Sequence, residues 1–117
     1  MSDDVELYIY RKRELAAGSI PGDWDDPEGL TQVPPHHRVF WLTNPLSWGD
    51  DDPVRAYVLV GKRVAGYVCL VTGEVSLRGT RVPVLWGFNL LVSTAFRGKG
   101  LAIKLIQAWR DAHHTAI

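Results

Sequence analysis

The chain has one cysteine, Cys69, so it cannot close a disulfide within itself. A reducing, cytoplasmic setting is the expectation. Long apolar runs are also missing: none approaches the ~20 residues that span a bilayer. The start, Met-Ser-Asp-Asp, is acidic and lacks the apolar stretch of a secretion signal. No membrane association is expected. Neither sign of charge is in excess, since 13 Lys and Arg face 13 Asp and Glu for a formal net charge of +0 at pH 7. Such a chain has no general pull on nucleic acid, so any positive field must be local. No repeat or low-complexity tract is present. Histidines occur as adjacent pairs, His36-His37 and His113-His114. Neighbouring side chains on a helix diverge, which makes each pair a poor chelate, and no metal site is expected.

What is there begins with size. A chain of 117 residues, 46% hydrophobic and 22% charged, suits one globular domain over 1–117 with a modest core. Its organising stretch is Asn89-Leu90-Leu91-Val92-Ser93-Thr94-Ala95-Phe96-Arg97-Gly98-Lys99-Gly100-Leu101-Ala102. Residues 89–92 read as the end of a buried strand. Gly98 and Gly100 permit a sharp turn. From Leu101 the apolar period becomes helical. The first N–H groups of that helix are left unpaired, and with the helix dipole they form an anion site. Arg97 and Lys99 add charge there. A phosphate or diphosphate is the expected guest. The spacing is not that of a nucleotide P-loop, because no Ser or Thr follows the Lys.

Taken in order, residues 5–10 alternate as a first strand, with Val5, Leu7 and Ile9 on one face and Tyr8 and Tyr10 on the other. A short helix over 11–17 is ended by Gly18. Residues 18–35 are loop-like, holding four prolines and the acids Asp23, Asp25, Asp26 and Glu28. Those acids read as a solvated loop or as a surface for a cationic amine. Pro35 opens a helix to about residue 42, with Val39, Phe40 and Leu42 as its apolar contacts. A second loop, 45–53, carries Asp50, Asp51 and Asp52. Strands follow at 55–60, 63–77 and 82–92, joined by turns at Gly61-Lys62 and Arg78-Gly79. Gly66 and Thr72-Gly73 suggest bends or bulges. The last strand is apolar on both faces, with Val82, Val84, Trp86, Phe88, Leu90 and Val92 on one, and reads as a central strand. A closing helix over 100–113 presents Leu101, Leu105, Trp109 and Ala112, flanked by Ala102, Ile106 and Ala108. Trp86 and Trp109 fit the core. Trp24, Trp41 and Trp48 line a cleft or cover the sheet, and Cys69 reads as a small core residue. The plan is α+β: a mainly antiparallel sheet with a helix after the Gly turn.

At Arg97-Gly98-Lys99-Gly100-Leu101-Ala102 the chain resembles the GNAT superfamily of N-acetyltransferases. Arg97, Gly100 and Ala102 match its signature of Gln or Arg, two residues, Gly, one residue, then Gly or Ala. The strand before, the helix after and the Gly79 hairpin extend the resemblance over 55–113, as an acetyl-CoA-binding core. Residues 5–10 resemble the family's first strand. The substrate-side region 16–53 looks unlike its usual pair of helices. The resemblance implies acetyl-CoA as cofactor and transfer of an acetyl group to a primary amine. It implies that backbone amides of Arg97, Gly98, Lys99, Gly100, Leu101 and Ala102 hold the diphosphate, and that Leu91, Val92 and Ser93 bond the pantetheine arm. A donor near Leu91 would polarise the thioester carbonyl.

The chain departs from the family in two places. Many members carry a Glu or Asp where Asn89 stands, and Asn does not act as a base. Asn89 is left a positioning role, with Glu74 and the loop acids as substitute bases. The family also normally continues with further strands and a helix whose Tyr protonates the thiolate. These are absent here, so no residue takes that acid role. The chain is then a fragment, a subunit completed by a partner, or a non-catalytic domain that binds CoA or a protein. An open sheet edge would invite pairing, and a homo-oligomer is expected.

Overall fold

The computed structural model describes residues 4–116, with side chains described as far as His113. The acidic start at residues 1–3 and the His114 side chain lie outside the described residues. Strand β1 (Val5–Arg11) runs into a short helix α1 (Lys12–Ala17), and helix α2 (Pro35–Thr43) follows after a loop. Strands β2 (Pro53–Val60), β3 (Arg63–Leu77) and β4 (Thr80–Val92) come next. A 3-10 turn (Thr94–Phe96) then leads into helix α3 (Leu101–Ala116). The strands form one sheet in the order β1-β2-β3-β4, each pair antiparallel. This is the expected α+β plan.

Alternation along the strands sends successive side chains to opposite faces and builds two cores. Ala56, Val58, Ala65, Val68, Leu70 and Leu85 meet Leu101, Leu105 and Ala108 of α3 on one face. Tyr10, Tyr57, Leu59, Val64 and Cys69 meet Leu15 of α1 and Trp41 of α2 on the other. Trp24 and Trp41 cover this second face, whereas Trp48 packs on the first. Cys69 is fully buried, and burial pushes its thiol pKa up.

The loop between α1 and α2 has no regular structure, yet it is strapped down at several points. Asp25 bridges to Arg63 of β3, with Val64 N–H donating to the Asp25 carbonyl at 2.9 Å. The carboxylate of Asp26 accepts from the N–H groups of Leu30 (2.7 Å) and Thr31 (2.9 Å). Buried Arg55 donates to the carbonyls of Leu30 (2.9 Å) and Gln32 (3.4 Å) and stacks 4.2 Å from the Tyr67 ring centre. Where β2 ends and β3 continues, α2 takes over. Trp41 Nε1 donates to the Leu70 carbonyl at 2.8 Å, and Asn44 Nδ2 to the Thr72 carbonyl at 2.9 Å.

Five sequence readings are corrected. First, β4 is the outer strand of the sheet, not a central one, and Trp86, Leu90 and Leu91 are exposed. Two apolar faces do not distinguish a covered strand from an edge strand with an apolar flank. Second, Val39 and Phe40 point to solvent, because the face of α2 carrying His37 and Trp41, one turn apart, is the one turned to the sheet. Third, no register shift occurs at Thr72-Gly73; Gly73 instead makes room for Trp86, whose Nε1 would lie 2.9 Å from an added Cβ. Fourth, Ile106 is exposed on α3 and does not join the core stripe. Fifth, the His36 and His37 rings do not diverge but meet edge to face at 4.4 Å.

The outer edge is less open than expected. The Arg78-Gly79 turn has positive φ at both residues and joins Leu77 to Thr80 directly. Counting back from that pair puts the backbone of Pro83 and Leu85 on the outer side. Pro83 has no N–H to offer. The Leu85 carbonyl accepts from Trp109 Nε1 at 2.7 Å.

Candidate functional site

Everything at this site follows from where β4 lets go of β3. Cys69 pairs with Phe88 and Tyr67 with Leu91, so three steps on β4 match two on β3. The extra residue is a β-bulge, with Asn89 in the left-handed region at φ 51°. The bulge resets the alternation, so that Val92 packs with the α3-side core although Phe88 faces the other one. The expectation that Val92 shares a face with Phe88 is thereby corrected. Gly66 sits opposite Val92, where an added Cβ would lie 2.5 Å from the Leu91 carbonyl oxygen; only glycine allows this approach.

Beyond the bulge, Ser93 N–H donates to the Ala65 carbonyl at 2.7 Å and closes the sheet. Phe96 N–H returns to the Ser93 carbonyl at 2.9 Å, forming the 3-10 turn. Gly98 (φ 81°) and Gly100 (φ 74°) then swing the chain into α3. The first bond of the helix runs from Lys104 N–H to the Gly100 carbonyl at 3.4 Å. The N–H groups of Leu101, Ala102 and Ile103 therefore precede any intrahelical acceptor. Leu101 is buried and anchors the helix start. A Cβ on Gly98 or Gly100 would meet nothing within 4 Å, so this turn faces open space.

Charge gathers around it. Arg97 is exposed, its Nε donating to the Val92 carbonyl at 3.3 Å. Lys99 Nζ stands 5.7 Å from the Phe96 ring centre. Arg63, from the start of β3, stands 5.5 Å from the same ring. Arg63 was not legible in the sequence, because only the β3–β4 register brings residue 63 alongside residue 96. Amides ahead of the first helical bond, a helix dipole and flanking cations are the features that favour an anion.

The acids weighed from the sequence separate. Glu74 lies in the distal part of the hairpin, 3.8 Å from Arg81. Asp23 pairs with Lys62 at 2.8 Å, which holds its carboxyl below the usual range. Asp26 and Asp52 are consumed by local hydrogen bonds. Glu28 reaches the turn that follows β4, accepting from the buried Ser93 hydroxyl at 2.5 Å. A separate cavity of about 620 Å³ opens between Leu7 and Ile9 of β1, Trp48 and Asp50 of the second loop, and Ala108 and Ala112 of α3. It shares no residue with the Gly turn.

The family model described as the acetyltransferase (GNAT) family matches residues 20–113. The fold is similar to that of a mutant of the AtaT toxin bound to the C-terminus of the antitoxin AtaR, with a TM-score of 0.55 and 14% identity. That match covers 97% of this chain and 68% of the toxin chain. The same mutant with the antitoxin C-terminus and acetyl-CoA gives 0.54 and 17%, covering 97% and 67%. A ribosomal-protein-alanine N-acetyltransferase from Brucella melitensis biovar Abortus 2308 gives 0.51 and 17%, covering 92% and 71%. At these identities the likeness is one of fold. No curated protein sequence matches the chain.

Proposed function

The chain belongs to the GNAT acetyltransferase family, and from that premise we propose that it is an acetyl-CoA-dependent N-acetyltransferase that moves an acetyl group to a primary amine. The observation that carries this reading is the Gly98–Gly100 turn, with its amides ahead of the first helical bond and its face open. In this reading the diphosphate lies against the backbone of Arg97, Gly98, Lys99, Gly100, Leu101 and Ala102. The pantetheine arm follows Leu91, Val92 and Ser93, at the end of β4, where among the described residues no strand lies on the outer side. The thioester then comes to the bulge at Asn89, where the carboxamide positions the amine or a water. Glu28 accepts the amine proton through water, since it is the loop acid brought to the turn after this strand. A second reading, binding of CoA or a protein partner without turnover, is favoured by the amide at Asn89, which does not titrate.

Calorimetry with acetyl-CoA tests the first reading. Binding is expected to weaken at least tenfold in Arg97→Ala. It is expected to be lost in Gly100→Val, whose side chain strains a positive φ and fills the open face. Unchanged affinity in both removes the turn from the cofactor site. Glu28→Gln then separates binding from turnover on an amine panel: retained affinity with lost turnover fits the base, and absence of turnover in the unmodified chain selects the second reading.

A further inference from the structure

We propose that Arg63 is a third cationic arm of the anion site and contacts the diphosphate of the bound cofactor; this rests on the acetyl-CoA reading above. The sheet register places it there. Gly66 pairs with Val92, and Ser93 N–H bonds the Ala65 carbonyl, so the start of β3 runs beside the 3-10 turn. The Arg63 guanidinium lies over the Phe96 ring, as does the Lys99 ammonium. Phe96 therefore gathers two cations from opposite sides of the sequence at the mouth of one turn, with Arg97 next to them.

No counter-charge meets them. Among the described residues, no carboxylate lies within ion-pair distance of Arg63, Arg97 or Lys99. Glu28, close by at Ser93, accepts from the serine hydroxyl and forms no ion pair with these cations. The neighbouring cation Lys62 has Asp23, so the absence is local to this cluster. Arg63 Nε is buried without a hydrogen-bond partner. A buried charged donor without an acceptor is costly, and a ring face supplies no lone pair to it. A phosphate oxygen does, and the planar fork of a guanidinium fits two such oxygens at once. In a chain of zero net charge, three unpaired cations around free helix amides form a focused positive patch for a dianionic group.

The test is calorimetry of the unmodified chain and Arg63→Gln with acetyl-CoA and with dephospho-CoA. The Gln variant is expected to lose about tenfold in affinity for both. Equal affinity in variant and unmodified chain overturns the proposal. A loss seen with acetyl-CoA but not with dephospho-CoA also overturns it, because the contact would then be to the 3′-phosphate. Binding of neither cofactor by the unmodified chain removes the acetyl-CoA reading itself, and the Arg63 assignment with it. Should Arg63→Gln fail to fold, Arg63→Lys keeps the charge and loses the fork. It is expected to bind more weakly than the unmodified chain, and unchanged affinity overturns the two-oxygen contact.

Discussion

The two faces of the sheet are covered by different means. On one, a regular helix lays Leu101, Leu105 and Ala108 over Ala56, Val58, Val68 and Leu70, an aliphatic buried contact with Trp48, Phe96 and Trp109 at its margin. On the other, two short helices and a loop cover Tyr8, Tyr10, Tyr57, Tyr67 and Phe88 with Trp24 and Trp41, around the buried guanidinium of Arg55. A helix satisfies its own backbone, so it can bring apolar knobs alone. A loop does not, and its carbonyls and amides need partners from side chains. Here Arg55 and Asp26 are those partners, while Trp41 and Asn44 donate to the Leu70 and Thr72 carbonyls of β3. The aromatic character of that face follows, since Trp and Tyr bury area and still carry a polar end.

The contrast can be broken from either side. Leu105→Ala, at a fully buried position of the aliphatic face, is expected to cost about 3 kcal/mol through transfer and cavity terms. Urea unfolding measures it, and a cost below half of that would mean the helix face repacks freely. Arg55→Met is expected to cost about 2 kcal/mol, because the Leu30 and Gln32 carbonyls lose their donor. It should also open the loop: limited proteolysis is expected to cut within residues 18–34, where Leu105→Ala at equal destabilisation is not. Identical cleavage in the two would erase the distinction between strapped and packed.

The smallest effect concerns pH. Burial raises the Asp26 carboxyl pKa, but hydrogen bonds from Thr31, Leu30 and Gly29 outweigh it and hold the group below the usual carboxylate range. Its contribution is present above the unfolded value and is lost as pH falls through the lower folded one. Asp26→Asn is expected to cost about 1 kcal/mol at neutral pH. That difference from the parent should shrink in acid, as followed by thermal melts across pH. A difference independent of pH would show that the carboxylate charge contributes nothing to the strap.

Much of the regular half was legible, because strands, two-residue turns and an amphipathic helix each have a local period. The Gly turn was legible for the same reason: Gly98, Gly100 and the change of period lie within a few residues. The strap was not. The Glu28–Ser93 contact spans 65 positions, and Arg55 reaching the Leu30 carbonyl is equally non-local. Trp86 shows the limit from another side, since alternation assigns a residue to a face and does not say whether the face is covered. The bulge was missed because Asn89, unlike glycine, does not advertise a left-handed backbone, although Asn is among the few residues that enter it.

That bulge governs how the chain tolerates changes in length. Substitutions around Asn89 alter one side chain, whereas loss of one residue there would shift the phase of everything downstream. Val92 would rotate out of the aliphatic core, Ser93 would miss Ala65, and Leu101 would start its helix from the wrong side of the sheet. In this stretch the fold depends on the spacing between Phe88 and Ser93 more than on the identity of any residue within it.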